Sequence, residues 1–183
     1  GRLRMALSYA RPHRFWLVTG TRVRQVTVGD GDAVHLMLTV WDDETGVGIP
    51  TSNATVTLSR NGESVVEKSM WSMLSQRMGV HFGDNVALES EGDYTVEVEY
   101  GPIESRLAGD LTGFDPAQRS LSFDFEYSQA AVEDLGFTDL GYRAGREDAV
   151  EPMQMGMLPV YQVPPAEELP GEGLGSELSG GAL

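Results

Sequence analysis

One run of nine residues limits the fold of this chain more than any other: Ala33-Val34-His35-Leu36-Met37-Leu38-Thr39-Val40-Trp41 alternates without interruption. Val34, Leu36, Leu38 and Val40 fall on one side, and His35, Met37, Thr39 and Trp41 on the other. Helical geometry would spread the four aliphatics around the axis, whereas a strand of period two gathers them on one face. The same period recurs in Ala54-Thr55-Val56-Thr57-Leu58-Ser59, in Tyr94, Val96, Val98 and Tyr100, and in Leu121, Phe123, Phe125 and Tyr127. Asn61-Gly62, ahead of Ser64-Val65-Val66-Glu67-Lys68, is a type I′ hairpin signal, because both turn positions need positive φ. Residues 15–19 and 22–28 are further strand candidates. No stretch between strands is long and periodic enough for the helical crossover that a parallel sheet requires.

The expected fold class is therefore all-β: a two-sheet antiparallel Ig-like β-sandwich with an irregular C-terminal extension. Its core face should hold Leu36, Leu38, Val40, Val56, Leu58, Val96, Val98, Phe123 and Phe125. The expected organisation is an N-terminal arm over 1–14, the sandwich over 15–128, a short helix and extended strap over 129–163, and a flexible acidic Pro/Gly-rich tail over 164–183. Ser128 is the candidate cap of the helix. No apolar run approaches the 18 or so residues of a membrane span, so direct membrane insertion is not expected. Gly1-Arg2-Leu3-Arg4 does not read as a signal peptide.

Charge excludes one large class of partner. The 183 residues carry 13 basic and 28 acidic side chains, a formal net charge of -15. Residues 1–28 hold six arginines and no carboxylate, leaving a net charge of -21 on the rest, where Lys68 is the sole lysine of the chain. Such a field repels phosphate backbones, so no nucleic-acid partner is expected. It attracts cations and suits a protein kept soluble in concentrated salt. The absence of cysteine removes disulfides, thiolate metal sites and cysteine nucleophiles.

Any imidazole chemistry falls to His13, His35 and His81. His35 and Met37 leave the same strand face with Cα atoms about 6.5 Å apart, a spacing that lets an imidazole and a thioether converge on one ion. The segment 70–86 is unusual, with Met70, Trp71, Met73, Met78 and His81 in twelve residues. It reads as a loop shaped around something, with Gly79 and Gly83 on either side of His81 permitting unusual backbone angles or close approach. Packing is the bland alternative, since methionine also fills irregular cores. His13 precedes 15–18, a candidate first strand that a sandwich can bring beside a later one. Met153, Met155 and Met157 would share one side of an extended segment, either as thioether ligands or as packing for the strap.

The run Gly79-Val80-His81-Phe82-Gly83-Asp84-Asn85, followed by Gly92-Asp93-Tyr94, resembles the motif of periplasmic iron-transport-associated copper-binding proteins, which act beside a high-affinity iron permease. That family shows a methionine-containing loop, then Gly-Pro-His-Tyr-Gly-x-Asn, then a Gly-x-Tyr strand. His35-Leu36-Met37 stands where it has His-Leu-Glu, and Phe123-Asp124-Phe125-Glu126-Tyr127 matches its closing aromatic strand in character. The resemblance covers roughly 15–128. More narrowly, the chain resembles a diverged haloarchaeal branch, in keeping with its acidic, lysine-poor composition. The resemblance implies that His81 and His35 are metal ligands. It places Met37 at the position of a glutamate, and Leu74, beside Met73, at the position of the family's methionine. A further family histidine has no counterpart between Tyr100 and Phe123. With Met78 and His13 as replacements, the expected metal set is His35, His81, Met37, Met73, Met78 and His13, for a copper or iron ion. The resemblance further implies an extracytoplasmic location and a membrane iron permease as partner, and it allows a homodimer.

Enzymatic readings find little support. Gly-x-Ser-x-Gly is absent, and Gly29-Asp30-Gly31-Asp32 is too short and acidic to cradle phosphate. The expectation is a non-enzymatic metal-binding protein of iron uptake. The alternative is an Ig-like surface or assembly module that has lost the metal site. The charge yields a first prediction: closely spaced carboxylates repel over a Debye length of roughly 30 Å at 0.01 M salt and only about 3 Å at 1 M. Thermal melts should rise substantially from dilute buffer to molar KCl, and an unchanged melting temperature would count against salt adaptation.

Overall fold

A computed structural model describes residues 2–49, 52–75, 78–104, 106–115, 117–136 and 156–157 of the chain. The strands are β1 (Leu3–Ala10), β2 (Phe15–Thr19), β3 (Arg22–Val26), β4 (Asp32–Asp42), β5 (Ala54–Arg60), β6 (Glu63–Ser75), β7 (Gly79–Ala87), β8 (Gly92–Tyr100), β9 (Arg119–Tyr127) and the two-residue β10 (Gly156–Met157). A single 3-10 turn spans Gly109–Leu111, and one short helix, α1, spans Gln129–Asp134. Ser128 caps α1 by accepting from the Ala131 amide.

Eight strands form one large antiparallel sheet in the order β10-β1-β4-β7-β6-β5-β8-β9, while β2 and β3 make a separate hairpin. The long strand β6 joins the halves of the large sheet. Its N-terminal part, up to Met70, pairs with β5, and its last five residues, from Trp71, pair with β7. The sheet folds over along β6 until it is nearly closed. Tyr9 of β1 meets Phe125 of β9 with ring centroids 5.5 Å apart, and Phe82 of β7 meets Tyr100 of β8 at 5.7 Å. Between the halves lies one apolar core, which contains all nine residues expected from the alternation. The Asn61-Gly62 turn has the two positive φ values of a type I′ hairpin, 52° and 81°.

Two expectations are corrected. The N-terminal arm over 1–14 is instead largely β1, paired along its whole length with β4 from Leu3↔Asp42 to Ala10↔His35. The β domain thus begins at Leu3 rather than at 15. Met5 and Leu7 lie in the core and Leu3 and Tyr9 pack against it, a period-two pattern that the flanking arginines obscure. Arg2 fastens the start of this strand: its Nε and Nη2 donate to the buried Asp42 carboxylate at 2.8 and 2.7 Å. That guanidinium, with Thr45 assisting, holds the Asp42 carboxyl down at about 2. The second correction concerns the expected loop over 70–86, whose residues 70–75 are the end of β6 and 79–86 most of β7. Its composition looks uneven because Met70 lies in the main core whereas Trp71, Met73 and His81 populate the sheet face turned away from it.

Residues 137–155 and 158–183, which include the expected tail, lie outside the described residues. The expected strap is described only at β10, where Met157 and Gly156 pair with Ser8 and Tyr9 at the edge of β1.

The two-faced reading of the sheet generates a contrast. Leu36 is fully buried between the sheet halves, whereas Leu74 is 62 % exposed. Leu36→Ala should cost about 2–5 kcal/mol in urea denaturation, and Leu74→Ala less than about 0.5 kcal/mol. Equal losses would contradict the assignment of faces.

Candidate metal centre

The register of β4, β7 and β6 builds the site. Directly paired residues on antiparallel strands project to the same side. His35 pairs with Asn85 and Met37 with Gly83 across β4 and β7; Met73 pairs with His81 and Trp71 with Gly83 across β6 and β7. One face therefore carries His35 and Met37, then Asn85, Gly83 and His81, then Trp71 and Met73. Gly83 stands at its centre. A Cβ there would lie 2.9 Å from His35 Nε2 and 3.0 Å from Met73 Sδ, so these two donor atoms converge on the space that the missing side chain leaves. Gly83 serves close approach, whereas Gly79, at φ 61°, is the one that supplies an unusual backbone angle.

All three histidines present the same nitrogen. His35 Nδ1 lies 2.8 Å from Asn85 Oδ1, His81 Nδ1 lies 3.2 Å from the Gly79 carbonyl, and His13 Nδ1 lies 2.9 Å from the Arg11 carbonyl. The carbonyl oxygens only accept, so His81 and His13 carry their protons on Nδ1. The Asn85 amide is oriented by its Nδ2 donating to the His13 carbonyl at 2.9 Å, which makes Oδ1 the atom facing His35. Each ring thereby keeps its lone pair on Nε2, the arrangement that outer hydrogen bonds impose on metal-binding imidazoles.

The centre is dry. His35 and Met37 are buried on β4, and His81 is buried on β7. Burial pushes His35 down to about 3, with the electrostatic effect of His13 next, the Asn85 bond opposing, and His81 and Lys68 adding smaller downward effects. Burial likewise pushes His81 down to about 4 against its bond to Gly79. Both rings are neutral at neutral pH and need shed no proton before ligating.

His13 arrives by a route other than the expected one. The first strand is β1, and His13 lies in the link from β1 to the β2–β3 hairpin. Its ring packs on His35 with centroids 4.0 Å apart, and Phe15 covers His35 from 5.7 Å. Met78 packs with Met37 and Ala10 in a small cluster separate from the main core, so it covers Met37, while Met73 carries its sulfur towards His35. Met153 and Met155 lie outside the described residues. Asn85 was not among the expected site residues. Its position two after Gly83 and four after His81 would have put it on this face once 79–87 was read as a strand.

Among the described residues, no three His, Asp or Glu side chains form a group able to hold an ion by themselves. An ion here would need the thioethers as well as the imidazoles. Residues of both kinds meet at Gly83, and they fit a soft or borderline transition metal.

By sequence, no protein family matches the chain, and no curated protein does. By structure it is similar to FetP of a uropathogenic Escherichia coli strain, recombinantly expressed in the periplasm of E. coli, with a TM-score of 0.51 and 20 % identity over 69 % of this chain and 88 % of that one. A copper-bound variant of the same FetP aligns with a TM-score of 0.49 at 20 % identity, over 69 % of this chain and 89 % of that one. The first of these defines the fold: an all-β scaffold of the FetP kind.

The buried neutral imidazoles make stability acid-sensitive. Their folded pKa values lie below the unfolded value of about 6.5, so the unfolded chain binds more protons in that window. The stabilisation is complete above pH 6.5 and is lost as pH falls towards about 4 and about 3. Melting temperature in 1 M salt should fall from pH 7 to pH 5, and His81→Gln should flatten that slope. A wild-type slope unchanged in His81→Gln would show that His81 is not the titrating group.

Proposed function

We propose that this chain is an extracytoplasmic, non-enzymatic protein that binds a transition metal, copper or iron, and serves high-affinity iron uptake beside a membrane iron permease. The folded sheet is read as an Ig-like two-sheet sandwich, with β6 crossing between the layers. One observation carries the function: Nε2 of a buried neutral imidazole and the sulfur of Met73 converge over a glycine, with His81 and Met37 flanking the same spot on β7 and β4. A sandwich that only packs has no need to bury two histidines and Met37 on the face opposite its core, each ring with its lone pair on the same nitrogen.

The chain's own residues divide the work. His35 and His81 would supply nitrogen, Met73 and Met37 sulfur, and Asn85 fixes the tautomer of His35 while holding the His13 backbone through two hydrogen bonds. His13 and Phe15 exclude water from the His35 side. Similarity to FetP supports the fold on which this reading stands. Extracytoplasmic placement follows the resemblance of the motif. Among the described residues, no helix is long and apolar enough to cross a membrane. The acidic field would draw cations towards the molecule.

Metal analysis and isothermal titration with copper and iron test the proposal. Wild type should bind copper tightly, and His81→Ala should weaken binding at least about tenfold by removing one of few neutral donors. If wild type binds neither metal more tightly than about 100 µM, the Ig-like interaction module without metal replaces this reading.

A further inference from the structure

We infer that this centre selects a soft monovalent cation, Cu(I) or Ag(I), over divalent and ferric ions. The inference rests on the metal-binding reading and goes beyond it by assigning the charge of the ion.

The donor set is neutral throughout. His35 and His81 offer imidazole nitrogen, and Met73 and Met37 offer thioether sulfur. The only carboxylate on the central strand is Asp84, whose neighbours Gly83 and Asn85 face the site, so Asp84 projects to the opposite side. There it is engaged by Lys68 Nζ at 3.2 Å, and Lys68 also donates to the Asn85 carbonyl at 2.6 Å. The sole lysine of a strongly acidic chain is thus anchored behind the site, and its positive charge is felt at His35.

Burial turns this neutrality into selectivity. The cost of moving an ion out of water rises with the square of its charge, so a divalent ion pays about four times what a monovalent ion of similar radius pays in the same low-dielectric site. Sites for divalent and trivalent ions offset that cost with carboxylates or thiolates. This chain has no cysteine, and among the described residues no third acidic or imidazole group joins a pair of histidines to form an ion-holding cluster. Soft thioethers add a second bias in the same direction, since they favour Cu(I) over harder ions. Met37 is decisive by position: it is fully buried and pairs directly with Gly83, where a carboxylate would have served a divalent ion.

Ag(I) and Zn(II) probe the two charge classes without redox chemistry, and Cu(I) and Cu(II) repeat the comparison with one element. On the full chain, Ag(I) by calorimetry and Cu(I) by anaerobic competition with a chromogenic chelator should bind at least about 100-fold more tightly than Zn(II) or Cu(II). Met37→Leu, which nearly conserves volume, should weaken Ag(I) at least about tenfold and leave Zn(II) within about twofold. Met37→Glu should reverse the preference towards Zn(II). If that buried charge prevents folding, Met37→Leu still decides the question. Zn(II) or Cu(II) binding as tightly as Ag(I), or Met37→Leu weakening both classes equally, would overturn the monovalent assignment while leaving the metal centre in place. No binding of any of the four ions would remove both.

Discussion

The architecture hangs on a strand that is covered on both faces. From Val34 to Asp42 every residue of β4 is buried, although its apolar alternation supplies only one face to the core. Val34, Leu36, Leu38 and Val40 join the core between the sheet halves. On the opposite face, His35 lies beneath the rings of His13 and Phe15, and Met37 lies beneath Met78. Burying polar imidazoles costs free energy unless every ring nitrogen has a role. Hydrogen bonds take up Nδ1 of His35 and His81, which leaves Nε2 as the chemically expressive atom. The candidate site is a direct consequence of placing polar and thioether side chains on the second face of a doubly covered strand.

Asn85 ties that second face to the rest of the chain. Its amide orients His35 through Oδ1 and holds both the amide and the carbonyl of His13, so the link between β1 and the β2–β3 hairpin is fastened over the site. Lys68 reaches the carbonyl of the same residue from the other side of the sheet. Ligand orientation, site cover and sheet edge therefore share one residue, and a change at Asn85 would disturb all three together.

The lopsided charge of the chain also acquires a structural meaning. Part of the arginine-rich start is not a free arm: Arg2 clasps Asp42 and approaches Glu44, and Arg4 pairs with Asp43, so the first basic residues meet the acidic turn that follows β4. The Asp42 contact is the firmest of these, because it joins two guanidinium nitrogens to a carboxylate shielded from water. The partly exposed Arg4–Asp43 pair contributes less, as ion pairs in contact with solvent do.

Period-two alternation made the strand content legible from sequence. It also identified the nine core residues, while turn chemistry identified the Asn61-Gly62 hairpin and a serine cap the helix after Ser128, because each depends on local geometry or on which side of a strand a residue occupies. The same rule was available for β1 and for 79–87. There the arginines around Leu3 and the crowding of methionine and histidine mask it, so that from sequence both segments look irregular. Sequence also nominated His35, Met37, Met73 and His81, but not how they meet. That depends on register: pairing Met37 and Trp71 with Gly83 is a long-range choice, and a slip of one residue would have sent every donor to the other face. The approach of His13, the division between Met73 and Met78, and the part played by Asn85 were decided by the tertiary structure alone, because each arises from strands distant in sequence brought edge to edge.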